Sequence, residues 1–245
     1  MRKLVKRVVN GALMPLGLEV CRVGQDALYA QASWINGEAA TILDVGAAGG
    51  EMVEQYRTLF PRAMIHAFEP DPNSIRLLEG RFGEDKQVKL NQVAVTESAG
   101  QVTMNVNLLP ATNSLLPTDP RGDGLWGDRL LETQATIEVP SITLDDYCRS
   151  HEIDSVDILK LDIQGYELNA LRGARSMLEG GRVKLVYMEI ILAPSYVGQP
   201  NFEDYLAFFR SMGYVMLNMY NFFRRGVRLI QVDAIFVRDL DRSAP

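Results

Sequence analysis

The chain has 245 residues, a length that fits one large α/β domain or a smaller domain with extensions. Hydrophobic residues make up 47% of the chain and charged residues 23%, which excludes a disordered or fibrous protein. The net charge of −6 provides no overall attraction for nucleic acid, and 2 histidines with 2 cysteines leave little material for histidine metal sites, nucleophilic triads or a disulfide framework.

The first segment, MRKLVKRVVNGALMPLGLEV, mixes basic with apolar side chains and predicts a short basic amphipathic helix. Its apolar run is too short and too interrupted to span a bilayer or to serve as a signal peptide. We favour a helix packed on the domain; the alternative is weak contact with an anionic membrane through residues 1–15. We therefore treat residues 1–35 as an N-terminal helical extension and residues 36–245 as the main domain. We expect a cytoplasmic protein, with any such contact at the inner face of the membrane.

From residue 41 onward, short apolar strands alternate with helical patterns, including one helix that Asp71 caps and Pro72 opens. The last two strands, joined by the basic segment NFFRRGVR, predict an antiparallel hairpin at a sheet edge. The pattern predicts a doubly wound, mostly parallel seven-stranded sheet with helices on both faces. The predicted strands are 41–46, 63–70, 88–95, 156–163, 183–190, 214–220 and 230–238, and the helices include Glu51–Phe60, Tyr166–Leu178 and Phe202–Met212.

Residues 100–140 interrupt this alternation as an insertion. GQVTMNVN (100–107) alternates in hydrophobicity, as an edge or antiparallel strand does. Residues 108–135 are rich in Pro, Gly, Asp, Asn and Thr and predict a long loop, and ATIEVPSITLDDYC (135–148) predicts a short strand followed by a helix. Long loops in compact domains are commonly lids or binding loops, so we expect this one to contact a substrate.

Four of the predicted parallel strands end in a carboxylate: Asp44, Glu69, Asp162 and Glu189. Ligands of open α/β sheets bind beyond the carboxyl ends of the strands. Any one of these acids could be a helix cap or a solvated surface group. Together they predict a concave acidic site, with the glycine-rich segment TILDVGAAGG (41–50) as its floor.

The glycine-rich segment narrows the choice of ligand. Glycines let a ligand approach the backbone closely, and Glu69 is placed to accept the hydroxyls of a ribose. The sequence GAAGGE does not match the dinucleotide pattern G-x-G-x-x-G, and a pyrophosphate would meet Asp44 and Glu51 without a basic partner nearby. No P-loop pattern occurs. The acids instead suit a ligand that carries an ammonium and a sulfonium centre.

Several motifs carry a resemblance to a known family. LDVGAAGG followed by HAFEPDP resembles motif I and the next acidic strand end of class I S-adenosylmethionine-dependent methyltransferases. LKLDIQGYELNALRGA (159–174) resembles the signature of the FkbM family, and VPSITLDDYC and NSLL (113–116) are similar to features of that family. The resemblance covers roughly residues 40–238 in the right order. It implies a Rossmann-like methyltransferase domain that uses S-adenosylmethionine, mainly to methylate oxygen on sugars, glycolipids or secondary metabolites.

The resemblance also implies roles for particular residues. The glycine loop would line the methionine part of the cofactor, Glu69 would bind the ribose hydroxyls, and the third strand would contact the adenine. Gln164 stands where many relatives have Glu, which weakens the case for an acid or base at that position. The implied cofactor-binding residues are Asp44, Gly46, Ala48, Gly49, Glu69, Pro70, Asp71, Ala94, Val95, Asp162 and Gln164.

Methyl transfer to an alcohol also needs a residue that accepts the proton of the hydroxyl. Asp162 and Glu189 are the nearest candidates by topology, and Lys160 lies behind them on the same face of its strand as Asp162. Lys160 alternatively pairs with a neighbouring carboxylate. Asp162 and Glu189 could instead hold a divalent cation, since hard cations take carboxylate oxygens. The sequence leaves both the base and the metal open.

For the acceptor, the insertion and a later loop offer amide, hydroxyl and aromatic groups of the kind that bind carbohydrate: Asn113, Ser114, Trp126 and Tyr196. Trp126 alternatively serves only as an anchor of the lid. The expected function is O-methylation of a sugar hydroxyl in a glycan, glycolipid or glycosylated metabolite, with no nucleic-acid partner. The alternatives are a nicotinamide-dependent oxidoreductase and a catalytically inactive binding module on the same fold.

Overall fold

The computed structural model describes residues 26–37, 39–122, 124–126 and 129–238. The predicted basic helix of the first segment lies outside these residues. The helices are α1 (Ala27–Trp34), α2 (Glu51–Leu59), α3 (Pro72–Phe82), α4 (Leu144–Ser150), α5 (Glu167–Arg172), α6 (Arg175–Glu179) and α7 (Phe202–Ser211). The strands are β1 (Thr41–Val45), β2 (Met64–Phe68), β3 (Val88–Asn91), β4 (Ala94–Val95), β5 (Gly100–Asn107), β6 (Thr133–Ile142), β7 (Val156–Leu161), β8 (Val183–Ile191), β9 (Tyr214–Arg225) and β10 (Arg228–Arg238).

The main sheet has seven strands in the order β3-β2-β1-β7-β8-β10-β9. The pairs among β3, β2, β1, β7 and β8 are parallel, and β10 pairs antiparallel with both β8 and β9. β7 is buried along its whole length and β8 at all positions but Lys184, because hydrophobic clusters cover both faces of the sheet. The predicted α/β sheet with an antiparallel edge hairpin is confirmed.

α1 precedes this sheet and docks on it. Asp26 caps the helix by accepting a hydrogen bond from the Tyr29 backbone N–H, at 2.8 Å. Ala27 belongs to the same core cluster as Tyr56, whose hydroxyl donates to Gln31 Oε1 over 2.8 Å. Among the helices in the part of the chain that the structure describes, none has both the length and the apolar character of a membrane span.

The predicted strand 88–95 is wrong as a single strand. β3 ends at Asn91, and the Val93 N–H turns back to the Asn91 carbonyl, at 3.0 Å. After this turn β4 joins a second sheet of three strands in the order β4-β6-β5. The third parallel strand therefore ends two residues before Val93, and Ala94 and Val95 belong to the small sheet.

The insertion is also more ordered than its composition suggests. β5 pairs antiparallel with β6, as the alternation in residues 100–107 predicts, and β6 is a long strand of 10 residues rather than a short one. Between them, short 3-10 turns and a bridge between Asn105 and Ser114 fold the connecting segment back on the sheet. Composition does not indicate such pairing, because strand formation depends on contacts with distant segments more than on local residue preference.

Two further boundaries differ from the prediction. The helix predicted over Tyr166–Leu178 is two helices, α5 and α6, which meet at Gly173. A Cβ at Gly173 would lie 2.1 Å from the Thr96 carbonyl oxygen, so the break accompanies a close approach of two backbones. The segment NFFRRGVR is mostly strand, because β9 continues to Arg225 and only Gly226 and Val227 form the turn. The start of α3 is as predicted, with Asp71 as the cap and Pro72 first in the helix.

Candidate active site

A cavity of about 530 Å³ lies at the carboxyl ends of the parallel strands, within the size range of small-molecule sites. The ends of β1, β2, β7 and β8 form one side, and residues 109–115 with Trp126 form the other. The predicted site residues that line it are Gly46, Ala48, Gly49, Glu69, Pro70, Ala94, Val95, Asn113, Ser114, Trp126, Asp162, Gln164 and Glu189. Asp44, Asp71, Lys160 and Tyr196 are not in the lining.

The glycine loop forms the floor because β1 and β7 approach each other closely at their ends. Gly46 has a φ of +80°, and a Cβ there would lie 1.9 Å from the Asp162 carbonyl oxygen. No side chain fits at this position. Ala48 also has a positive φ, of 46°, which turns its N–H toward Glu69. The floor therefore presents backbone groups of the glycine loop beside the carboxylates of Glu69 and Asp162.

Glu69 is fixed at the end of β2 by backbone groups. Its Oε2 accepts a hydrogen bond from the Ala48 N–H at 2.8 Å, and its Oε1 accepts one from the Asp71 N–H at 2.9 Å. Burial raises the pKa of Glu69, while these two N–H donors favour the ionised form. Each oxygen keeps a further lone pair, so the carboxylate can accept hydrogen bonds from a ligand. Asp71 itself caps α3, with Oδ1 accepting from the Asn73 N–H and Oδ2 from the Ser74 hydroxyl.

Lys160 and Asp44 form a buried ion pair beneath this floor. Lys160 Nζ lies 3.0 Å from Asp44 Oδ1, donates to the Gly46 carbonyl over 2.6 Å and is 4.0 Å from Asp162 Oδ2. Burial alone lowers the pKa of Lys160, but the charges of Asp44 and Asp162 outweigh it and raise that pKa. The ammonium therefore links the ends of β1 and β7 from below.

Asp162 and Glu189 are bridged by the amide of Gln164. Gln164 Nε2 donates to Glu189 Oε2 over 2.8 Å and to Asp162 Oδ1 over 3.2 Å. Gln231 Nε2 donates to the other oxygen, Glu189 Oε1, over 2.6 Å, and the Tyr196 hydroxyl donates to Gln164 Oε1 over 2.9 Å. The amide donors reduce the repulsion between the two carboxylates and fix the rotamer of each.

The environment of Glu189 differs from that of Asp162. Burial raises the pKa of Glu189 well above its ordinary value, and the charges of Asp162 and Glu167 raise it further. Both oxygens of Glu189 already accept amide hydrogen bonds. The side chain of Asp162 is 42% exposed, and among the described residues its Oδ2 has Lys160, at 4.0 Å, as its neighbour of opposite charge. Of the oxygens of Asp162 and Glu189, Asp162 Oδ2 is therefore the one that accepts no amide hydrogen bond.

The structure also bears on the divalent cation. Within the described ranges, no group of three or more His, Cys, Asp and Glu side chains could hold a metal ion. The Gln164 amide nitrogen lies between Asp162 and Glu189, and a cation bridging them would have to displace this donor. The divalent cation stays the alternative that the sequence leaves open.

On the acceptor side, the polar groups of Asn113, Ser114 and Trp126 already have hydrogen-bond partners within the protein. Ser114 Oγ donates to the Gln164 carbonyl over 2.8 Å, and Asn113 Oδ1 accepts from the Asn107 N–H over 2.8 Å. Tyr196 is buried behind Gln164, which orients it toward Gln164 rather than toward a sugar. Trp126 lines the cavity while its Nε1–H donates to Ser195 Oγ over 2.7 Å. Trp126 is thus both an anchor of the lid and a wall of the cavity.

Sequence reasoning missed Gln231 and Ser74, which also line the cavity. Gln231 reaches the site because β10 runs antiparallel to β8 and pairs Gln231 with Ile191, close to Glu189. The available signal was a lone glutamine in the apolar run LIQVDAIF. That signal becomes specific only once the register of the hairpin is known.

Comparison with known proteins identifies the family of the chain. Residues 44–216 match the Methyltransferase FkbM domain. The chain is 25% identical over 173 residues to 2-O-methyltransferase NoeI of Sinorhizobium fredii and 24% identical over 130 residues to hexuronic acid methyltransferase AglP of Haloferax volcanii. These alignments cover 64% and 53% of this chain, and 66% and 48% of the relatives.

Among solved structures, the fibrillarin pre-rRNA processing protein of Methanococcus jannaschii is similar with a TM-score of 0.48 and 11% identity. That alignment covers 89% of this chain and 76% of the other. The family match spans well over half of the chain and contains both the glycine loop and the Asp162 segment. The chain belongs to the FkbM methyltransferase family.

Proposed function

We propose that the protein is an S-adenosylmethionine-dependent O-methyltransferase that acts on a sugar hydroxyl. The observation that carries the proposal is the composition of one cavity: a glycine floor, Glu69 and the Asp162–Gln164–Glu189 network all face it. The names of the two relatives, a 2-O-methyltransferase and a hexuronic acid methyltransferase, support oxygen methylation of a sugar.

The charge of the cavity supports the choice of cofactor. Its lining includes Glu51, Glu69, Asp162 and Glu189, and no Lys, Arg or His among the residues that the structure describes. A pyrophosphate would be repelled there, whereas an ammonium and a sulfonium would be attracted. Gly46 and Gly49 line the cavity without side chains, and Glu69 retains acceptor capacity for ribose hydroxyls. S-adenosylmethionine, when bound, supplies an electrophilic methyl group.

The residues of the chain would then align the acceptor and take its proton. Asp162 Oδ2 accepts the hydroxyl proton, because it is the exposed carboxylate oxygen without an amide donor. Gln231 holds Glu189, Glu189 holds Gln164, and Gln164 holds Asp162 Oδ1, so these three are positioning residues. Lys160 balances the charge beneath Asp162 rather than reacting itself. Trp126 and the 109–115 segment cover the acceptor and limit access of water.

Calorimetric titration tests the cofactor. We expect S-adenosylmethionine and its demethylated product to bind and NAD not to bind. Binding of NAD with no binding of the other two would replace this proposal with the oxidoreductase alternative. Cofactor binding without methyl uptake by any acceptor would support the inactive binding module instead.

Methyl uptake tests the acceptor and the base. We expect transfer of labelled methyl from S-adenosylmethionine to one class within a panel of nucleotide sugars, glycolipids and glycan fragments. Asp162→Asn should lower kcat by about a hundredfold or more while cofactor affinity changes little, because a general base typically contributes this much. Asp154→Asn is the matched control, since Asp154 is exposed and outside the cavity. Unchanged turnover in Asp162→Asn would remove this residue from the role of base.

A further inference from the structure

The end of the β9–β10 hairpin carries a concentration of exposed apolar and basic side chains. We define the hairpin tip as residues 222–228, with the sequence FFRRGVR, all of them exposed. Val227 is fully exposed at the turn, and Phe222 and Phe223 are 44% and 42% exposed. Neither the cavity nor the core of the domain accounts for this combination.

The arginines of the hairpin tip destabilise the fold by electrostatic repulsion. Arg225 and Arg228 are direct cross-strand partners, and like charges at such positions repel each other. Within the described part of the chain, no carboxylate forms a salt bridge with Arg224, Arg225 or Arg228, and Arg224 lies over the ring of Phe222 instead. Among the other arginines that the structure describes, seven pair with a carboxylate: Arg57, Arg81, Arg121, Arg129, Arg149, Arg172 and Arg175.

The hairpin tip is positively charged on a chain whose net charge is −6. An anionic partner would offset the repulsion between its arginines. A soluble anion would satisfy the arginines but would leave Val227 and Phe222 in water. The surface of an anionic bilayer satisfies both groups, because its phosphates pair with arginine and its interface takes up apolar side chains. The turn itself carries Val at the fully exposed position, where turns usually carry Gly, Asn or Asp.

We propose that the hairpin tip docks the protein on the surface of an anionic lipid bilayer. Val227 and Phe222 enter the headgroup region, and Arg224, Arg225 and Arg228 pair with lipid phosphates. The docking is peripheral and reversible, and its strength falls as salt is added.

The docked orientation has a consequence for the cavity. Phe223 stacks on Trp126, with ring centroids 5.7 Å apart and planes at 20°, and Trp126 lines the cavity. The hairpin tip is therefore joined to the rim of the cavity, and docking brings that rim toward the bilayer. If the proposed function holds, this orientation suits an acceptor sugar carried on a lipid; the docking itself does not depend on that function.

Vesicle sedimentation of the full chain tests the proposal. We expect binding to phosphatidylcholine vesicles that contain phosphatidylglycerol, little binding to phosphatidylcholine alone, and release by sodium chloride. Arg225→Ala with Arg228→Ala should lower the partition coefficient about twenty- to thirtyfold, since each arginine near an anionic surface contributes roughly a fivefold factor. Val227→Asp should weaken binding as well. The matched control is Arg149→Ala with Arg175→Ala, which removes the same charge from exposed positions elsewhere.

Each outcome decides the proposal. Equal binding by the hairpin double variant and the wild type would overturn it and would place any membrane contact in another segment. Equal loss in the control variant would show a nonspecific charge effect and would also overturn it. No binding to anionic vesicles would overturn the proposal. If glycerol phosphate then slowed amide hydrogen exchange in the hairpin tip, the partner would be a soluble anion instead. Circular dichroism checks that every variant is folded, and failure of methyl transfer would leave the vesicle result unaffected.

Discussion

Glu167 is a fully buried carboxyl group behind the candidate base, and it provides a quantitative test of the structure. Its Oε1 accepts hydrogen bonds from the N–H groups of Ile163, at 3.0 Å, and Gly165, at 3.2 Å. Its Oε2 accepts one from the Tyr205 hydroxyl at 3.2 Å. The side chain thereby holds the loop that carries Asp162 and Gln164. Burial raises the pKa of Glu167 from 4.5 to about 7, mainly because the ionised form loses its hydration.

The raised pKa of Glu167 predicts how stability depends on pH. Between pH 4.5 and 7 the folded state keeps the Glu167 proton while the unfolded chain releases it, so the free energy of unfolding falls as pH rises. The full loss is about 3 kcal/mol, because a tenfold change in proton affinity corresponds to roughly 1.4 kcal/mol. Glu167→Gln removes this titration and keeps the size and the acceptor oxygen of the side chain. Relative to wild type, the variant should gain about 2–3 kcal/mol between pH 5 and pH 8, since a small part of the loss already occurs below pH 5.

Urea unfolding of wild type and Glu167→Gln at these two pH values measures the difference. The matched control is Glu84→Gln, because Glu84 is an exposed glutamate on the surface. We expect the control to change by less than about 0.5 kcal/mol relative to wild type between the two pH values. A stability difference between Glu167→Gln and wild type that is the same at pH 5 and pH 8 would refute the assignment of a raised pKa to Glu167.

Three further predictions concern the floor of the cavity. Gly46→Ala should destabilise the domain and abolish cofactor binding, because its Cβ would lie 1.9 Å from the Asp162 carbonyl oxygen; wild-type affinity in calorimetry would contradict this close packing. Glu69→Ala should weaken cofactor binding by roughly tenfold to a hundredfold, the value of charge-assisted hydrogen bonds, with kcat at saturation less affected; a loss confined to kcat would instead place Glu69 in the chemical step. Lys160→Met should lower the free energy of unfolding by about 3–5 kcal/mol, because it leaves Asp44 buried without its partner. For this last variant, a denaturation midpoint within error of wild type would show that the buried pair is not needed.

Part of the candidate site was predictable because local sequence specifies it. The glycine loop after β1 and the Asp71-Pro72 start of α3 depend on the conformational limits of glycine and proline, which act within a few residues. The acidic ends of the strands follow from hydrophobic runs that stop at a carboxylate. The parallel arrangement then brings these ends to one edge of the sheet.

The network around Asp162 was not predictable in the same way. Gln231 is 42 positions from Glu189 in sequence, and Tyr196 is 32 from Gln164, so no local pattern connects them. The pairing of Lys160 with Asp44 likewise depends on two strands that lie side by side only after folding. The sequence offered Lys160 both as a catalytic residue and as an ion-pair partner; the structure shows the ion pair with Asp44, and a catalytic role stays a prediction.

By itself, the sequence determined the fold class, the succession of the main strands along the chain and the chemistry at the strand ends, because hydrophobic period and glycine or proline geometry are properties of short segments. Only the tertiary structure decided that the strand predicted at 88–95 divides between two sheets and that the insertion pairs into a small sheet over the cavity. It also decided that Arg225 and Arg228 face each other at the hairpin tip. These features depend on register and on contacts between distant segments, and such contacts form only when the chain is folded.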